Sequence, residues 1–339
     1  MPPIRLLLAL AAAASLWACD NDVELLSDDP GLPVVYGLID GSRDVQLASI
    51  SRTFRFAADG NALESAREQD SVYYSAEGLS VVARNLSNGM ITTLERVDLA
   101  AEGGAVRSEG VFVADPNVAY RYRLSDIEAV PGDSVLLEGS LANGRTFTAG
   151  GRLLQQLDFA SNNEFQTAYS LIAERGTTRF AWRRVGPGAP ITIFDVGLNI
   201  AISETSPAGT TERVLYYPLI REAELPGRNS ITVDNERFRG VYGFLSSRLE
   251  AREDITRQLR YVQGVVTGAD SSFVEFQTLV RANSGITATQ ELPPFSNVEG
   301  ALGLVSLVTR LAQEPSAGLL PQSLDSLRLG QQTRDLNFQ

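Results

Sequence analysis

Three dipeptides punctuate the first half of the chain: Asp40-Gly41, Asn88-Gly89 and Asn143-Gly144. Each sits between runs rich in β-branched and aromatic residues. Such pairs supply the backbone conformations that tight hairpins need, and a chain that repeats them must build antiparallel sheet. Residues 33–54, PVVYGLIDGSRDVQLASISRTF, read as two strands around the first turn. In the second strand Val45 and Leu47 alternate with Gln46 and Ala48, with Ile50 on the other face. A short helix follows, opened by a capping box at Asn61-Ala62-Leu63-Glu64 and running to about Asp70. SVVARNLSNGMITTLERV and VLLEGSLANGRTFTAG are hairpins, and VAYRYRL, 118–124, is a further strand. Short strands at this spacing predict an immunoglobulin-like β-sandwich over residues 33–153.

The second half mixes two periods. Residues 154–175 read as a linker leading into a first strand. TRFAWRRV, 178–185, puts Phe180 and Trp182 on one strand face, and ITIFDVGLNIAISE, 191–204, aligns Val196, Leu198, Ile200 and Ile202. RVLYYPL, 213–219, and ITV, 231–233, add strands. Phe238, Val241, Leu245 and Leu249 fall at helical spacing, and LRYVQGVVTGAD returns to strand. Ser272-Phe273-Val274-Glu275 is a second capping box, opening a helix that Ser284-Gly285 stops. The expected fold class is therefore mainly β with an α+β part: the sandwich, then a strand-rich α+β domain over 154–310, with 311–339 packing on it as a C-terminal extension.

What the chain lacks limits its chemistry. It has no His, and all 29 basic residues are Arg. A Ser-His-Asp triad, a His-ligated zinc site, a Walker A lysine and a Schiff-base lysine are all excluded. Carboxylate chemistry survives, as a paired-acid hydrolase or an oxygen-ligated cation site, but no D-x-D-x-D-G calcium loop occurs. No catalytic residue, metal ligand or cofactor is expected. A formal charge of −12 argues against nucleic-acid partners. Trp182, Tyr120, Tyr122, Tyr216 and Tyr217 could stack on a sugar, but aromatic residues on alternating strands are more often core.

The single Cys, Cys19, closes the stretch MPPIRLLLALAAAASLWAC. Arg5 gives a positive start, and the apolar run from Leu6 to Leu16 has signal-peptide length. Leu16-Trp17-Ala18-Cys19 fits a lipobox, which predicts residues 1–18 as a signal peptide cut between Ala18 and Cys19, with Cys19 acylated. An ordinary secretory signal with a chance Cys is the alternative. Residues 19–32 then form an acidic tether carrying Asp20, Asp22, Glu24, Asp28 and Asp29. With no second Cys, the exported fold must hold by burial without disulfides.

Several segments resemble one lipoprotein family. FAWRRV with ITIFDVGLNIAISE, TGADSSFVEFQTLVRA, PPFSNVEGALGLVSLVTR and SLDSLRLGQQTRDLNF occur in the order of an uncharacterised Bacteroidota outer-membrane lipoprotein family, and VVYGLIDGSRDVQLASISRTF and residues 61–74 also look like it. The likeness runs from about residue 33 to the end. Its most specific piece is Ser296-Asn297-Val298-Glu299-Gly300, where Ala301 and Val305 depart from the family pattern of a Gly or polar residue and a Phe. The resemblance implies an outer-membrane lipoprotein, held by lipid on Cys19, at the cell surface or facing the periplasm, and no activity. The acidic tether resembles the surface-export signal of the same phylum. Residues Asn297 to Gly300 read as a structural turn. The expected function is a non-enzymatic binding module for protein or glycan. An accessory subunit of an outer-membrane transport or secretion complex is the alternative, and a carboxylate-based hydrolase the third.

Overall fold

A computed structural model of the chain describes residues 31–53, 67–102, 115–160, 168–173, 175–225, 227–273, 296–313 and 318–339. The signal segment with Ala18 and Cys19, nearly all of the acidic tether, the first capping box and the helix expected beyond Phe273 lie outside the described residues.

The first half supplies β1 (Pro33–Asp40), β2 (Val45–Arg52), the helical turn α1 (Gln69–Val72), β3 (Leu79–Asn85), β4 (Ile91–Thr93), β5 (Glu95–Asp98), β6 (Val118–Arg123), β7 (Ser134–Leu141) and β8 (Thr146–Arg152). The second supplies β9 (Gln156–Phe159), β10 (Ala168–Tyr169), β11 (Thr177–Val185), β12 (Ile193–Ser206), β13 (Gly209–Glu224), β14 (Ser230–Asp234), α2 (Gly240–Arg248), β15 (Thr256–Ala269), β16 (Leu302–Ala312), β17 (Gly318–Leu319) and α3 (Pro321–Leu329). The fold is mainly β and sandwich-like, as the hairpin signals predict. The Asn-Gly turns join β3 to β4 and β7 to β8, with Gly89 and Gly144 at positive φ.

The frame is an eight-stranded sheet in the order β13-β12-β15-β16-β1-β2-β6-β5. Four strands come from each half, so a boundary at 153/154 does not separate two sheets. The join is a parallel pairing of β1 with β16, Val34 opposite Leu302 through Asp40 opposite Val308. Local sequence pattern carries no signal for a contact between strands this far apart. A four-stranded sheet, β4-β3-β7-β8, and a three-stranded sheet, β14-β11-β9, back the frame together with α2 and α3. Gly151 of β8 leaves room for Leu307 of β16: a Cβ there would lie 2.8 Å from Leu307 Cδ1.

One apolar cluster fills the interior, from Val35 and Ile50 through Leu137 of β7 to Trp182, Phe194, Val241 and Leu327. Val196, Leu198, Ile200 and Ile202 all point into it, as their alternation predicts. Phe238, Val241, Leu245 and Leu249 are buried too, the first on a 3₁₀ turn that precedes α2. The C-terminal segment is pinned by Arg257, which is 1% exposed. Its guanidinium donates to Glu204 Oε1 at 2.8 Å, Leu336 O at 2.8 Å and Glu250 O at 3.0 Å. Burial pushes the Glu204 carboxyl up, but the hydrogen bonds from Arg257 and then Arg213 outweigh it and hold the group below its ordinary value.

In β2 the faces are inverted relative to the sequence reading. Gln46, Ala48 and Ile50 are buried, while Val45 and Leu47 are exposed. The cause is Gln46: its Oε1 accepts from Asp40 N at 2.8 Å, and its Nε2 donates to Asp40 O at 2.9 Å and Arg43 O at 2.5 Å. A fully bonded amide is tolerated inside, and Ile50 then follows it into the core. The second helix start also differs: Asp270, two residues before Ser272, is the acceptor, its Oδ1 taking Phe273 N at 3.3 Å.

Candidate functional site: the outer face of the large sheet

The inversion of β2 leaves an apolar ladder facing away from the core. Tyr36 and Leu38 on β1 and Val45 and Leu47 on β2 are each more than 40% exposed. Tyr36 lies opposite Ser49 and Gly37 opposite Ala48, so Leu38 and Leu47 stand side by side. A cleft of about 490 Å³ covers these residues and reaches Leu304, Ala119 and Phe273. A neighbouring cleft of about 570 Å³ lies over β12, β15 and β16. The two share Leu38, Arg43, Phe273, Val308 and Arg310, so they form one continuous surface. Both volumes fall in the range of small-molecule sites, about 300–1,000 Å³. Beneath Phe273, Ile193, Ala269 and Val308 form a small apolar cluster of their own.

Polar groups gather where the clefts meet. Asp40, 6% exposed at the end of β1, accepts at Oδ1 from Ser42 N at 3.0 Å and Ser42 Oγ at 2.5 Å. Its Oδ2 faces Arg310 Nε at 3.3 Å and Arg43 Nε at 3.7 Å. Asp40 Oδ2 and Arg310 Nε face each other as an ion pair, and neither meets hydrogen-bond geometry with any described residue. Two guanidinium groups thus share the Asp40 carboxylate, and with Asp195 the charged side chains lining the joined clefts balance. Across the second cleft, Asp195 Oδ1 accepts from Glu222 N at 2.6 Å, and Asn199 donates to Gln263 at 3.2 Å. Tyr216 lies opposite Asn199, its ring over Gly197, where a Cβ would meet it at 2.6 Å. Burial, then the Asp195 carboxylate, pushes the Tyr216 hydroxyl up to about 12, so it is a neutral donor at ordinary pH.

The other aromatic candidates are structural. Trp182 is 1% exposed, with its ring centroid 4.8 Å from that of Phe194. Tyr120 and Tyr122 are buried on the inner face. Tyr217 donates to Arg237 O at 2.8 Å and packs on Phe244 of α2. Tyr216, one residue away, is the one that reaches the cleft, because alternation sends neighbours to opposite faces.

The turn at 296–300 is structural. Asn297 Nδ2 donates to Val305 O at 2.7 Å, and its Oδ1 accepts Val305 N at 2.9 Å. The pairing of β15 with β16 spans only Val308 to Ala312, so this side chain stands in for a strand at Val305. Glu299 exchanges two backbone bonds with Thr148 of β8, tying the turn to the four-stranded sheet. Gly300, at φ +74°, sits where a Cβ would lie 2.3 Å from Thr146 O.

No group of three or more His, Cys, Asp or Glu side chains that could hold a metal occurs among the described residues. Among them, no helix is long and apolar enough to cross a membrane. No family model matches the chain, and no curated protein matches it. Among solved structures, the chain is similar to the FN1-FN3 domains of chicken CNTN1 at 8% identity, over 85% of this chain and 66% of that chain, with a TM-score of 0.18. The chain thus spans just under two thirds of that neighbour's length, and a likeness at that score bears on no residue or activity here.

Proposed function

We propose that this chain is a non-enzymatic binding module, anchored to the outer membrane by lipid on Cys19, whose ligand-facing surface is the outer face of the eight-stranded sheet. The observation that carries the reading is the ladder of Tyr36, Leu38, Val45 and Leu47, exposed beside the shared ion pairs of Asp40, Arg43 and Arg310. Contiguous apolar surface rimmed by polar groups marks interaction sites. The two carboxylates at the clefts do not resemble a hydrolytic pair: Asp40 is engaged by Ser42 and two arginines, and Asp195 by the backbone of Glu222. The same aliphatic side chains favour a second reading, an accessory subunit that covers them with a protein partner.

A photoreactive residue placed at position 38 or 47 of the cell-expressed protein tests the surface. Adducts at these positions, and none at Leu329, which is exposed elsewhere, are the expected result; the intact mass of each adduct gives its class. Equal capture at all three positions, or none, overturns the assignment. Mass spectrometry of the mature N-terminus tests the anchor: an acylated Cys19 is expected, and Cys19→Ser should release the protein from the membrane fraction.

A further inference from the structure

We infer that Asn143, at the tip of the β7–β8 hairpin, is a site of spontaneous deamidation and isomerisation, and that the fold holds Asn88 back from the same reaction although both precede glycine.

The chemistry needs no partner but water. A glycine after asparagine puts no side chain beside the attacking nitrogen. The Gly144 amide loses its proton to hydroxide, and its nitrogen bonds to Asn143 Cγ. The Cγ–Nδ2 bond then breaks, and the nitrogen leaves as ammonia with a proton taken from water. A succinimide ring remains, and a second water opens it. Cleavage of the ring bond at Cγ leaves aspartate. Cleavage at the main-chain carbonyl leaves isoaspartate, with the chain running through the former side chain. Either product adds one negative charge to a chain that is already acidic. Isoaspartate also lengthens the main chain of the turn, which the bonds from Leu141 N to Arg145 O and from Gly144 N to Leu141 O close. The converted fraction records the time since synthesis.

Most of the reacting groups are placed alike in the two turns. Both asparagines are exposed, and both glycines have positive φ. The attacking nitrogens are bonded in both: Gly89 N donates to Asn85 O at 2.8 Å, and Gly144 N to Leu141 O at 2.9 Å. Asn88 Oδ1 accepts from Met90 N at 2.9 Å, and Asn143 Oδ1 from Arg145 N at 3.1 Å. Those N–H groups stabilise the negative charge that grows on Oδ1 as the new bond forms. The leaving nitrogens differ. Asn88 Nδ2 donates to Ile127 O at 3.1 Å, on the 3₁₀ turn Ser125–Ile127, and must give up that bond before it can leave. No described residue accepts from Asn143 Nδ2. One net hydrogen bond corresponds to about a fivefold factor in rate. The third turn of this kind is closed to the chemistry. Asp40 is 6% exposed, and its Oδ1 is taken by Ser42 N and Ser42 Oγ.

Timed incubation of the folded full-length protein in mildly alkaline buffer tests this, read by peptide mass spectrometry that separates aspartate from isoaspartate. Cleavage after arginine puts the two sites in separate peptides, 85–96 and 124–145, and Asn143 is the only asparagine of the second. Asn143 should convert about fivefold faster than Asn88, the weight of the Ile127 bond, with a rate that rises in proportion to hydroxide. In denaturant that bond is gone, and the two rates should become equal. Asn143→Ser should abolish the acidic species that forms first on isoelectric focusing, and Asn88→Ser should leave it in place. No conversion at Asn143, equal rates in the folded protein, or the same ratio in denaturant as in the folded state overturns the inference.

Discussion

The two faces of the eight-stranded sheet are made by the same strands and differ in everything else. The inner face of β12 is Phe194, Val196, Leu198, Ile200 and Ile202, all buried against the backing layers. The outer face of the same strand carries Asp195, Gly197 and Asn199. On β1 the inner Val35 and Ile39 are buried, while the outer Tyr36 and Leu38 are nearly half exposed. Alternation therefore divides labour residue by residue: one face supplies cohesion, and the other is free to carry a ligand surface at little cost to the fold.

Substitutions on the two faces should break this comparison or sharpen it. The largest expected effect is on the inside. Trp182→Ala empties the space beside Phe194 and should cost about 3–5 kcal/mol in denaturant unfolding; a loss below about 1 kcal/mol would mean the inner face is not the source of stability. Next comes the buried ion pair. Glu204→Gln leaves Arg257, 1% exposed, without its counter-charge and should cost about 3 kcal/mol. Folding holds the Glu204 carboxyl below its ordinary value of 4.5. Its contribution is complete above that pH and fades as pH falls through the folded value, so the variant should lose stability less steeply than wild type below pH 4.5.

Asn297→Ala removes both bonds to Val305 and strands a backbone pair, at about 2 kcal/mol; Asn297→Asp sets an acceptor-only carboxylate oxygen against the Val305 carbonyl and should cost at least as much at neutral pH. The smallest effect is expected outside. Leu38→Ser and Leu47→Ser should change stability by less than about 0.5 kcal/mol while reducing cross-linking at the outer face. A large destabilisation by either would show that the ladder is core after all.

Much of the inner face was legible in the sequence because it is written locally. Asn88-Gly89 and Asn143-Gly144 specify their hairpins within a few residues, and the alternation from Val196 to Ile202 needs no partner to be read. The outer face was not legible, for three physical reasons. The orientation of β2 is set by the bonds of Gln46 to Asp40 and Arg43, which exist only once the hairpin has closed. The register shift between Phe194 and Gly197 changes how β12 meets β13, where Tyr216 and not Tyr217 faces the cleft. The cleft itself joins Asp40 and Arg43 to Arg310, and nothing near residue 310 announces that neighbour. Asn297 could be read as a turn residue, but its role as a substitute strand partner could not.

The parallel pairing of β1 with β16 also sets an order of events in time. The first strand of the frame waits for a partner more than 260 residues downstream. At synthesis rates of about 5–20 residues per second, that wait is on the order of tens of seconds. Throughout it, β1 has only β2 beside it, and the middle of the sheet stays open. The central seam therefore closes only after residues 302–308 have been made, so the two halves of the frame join late.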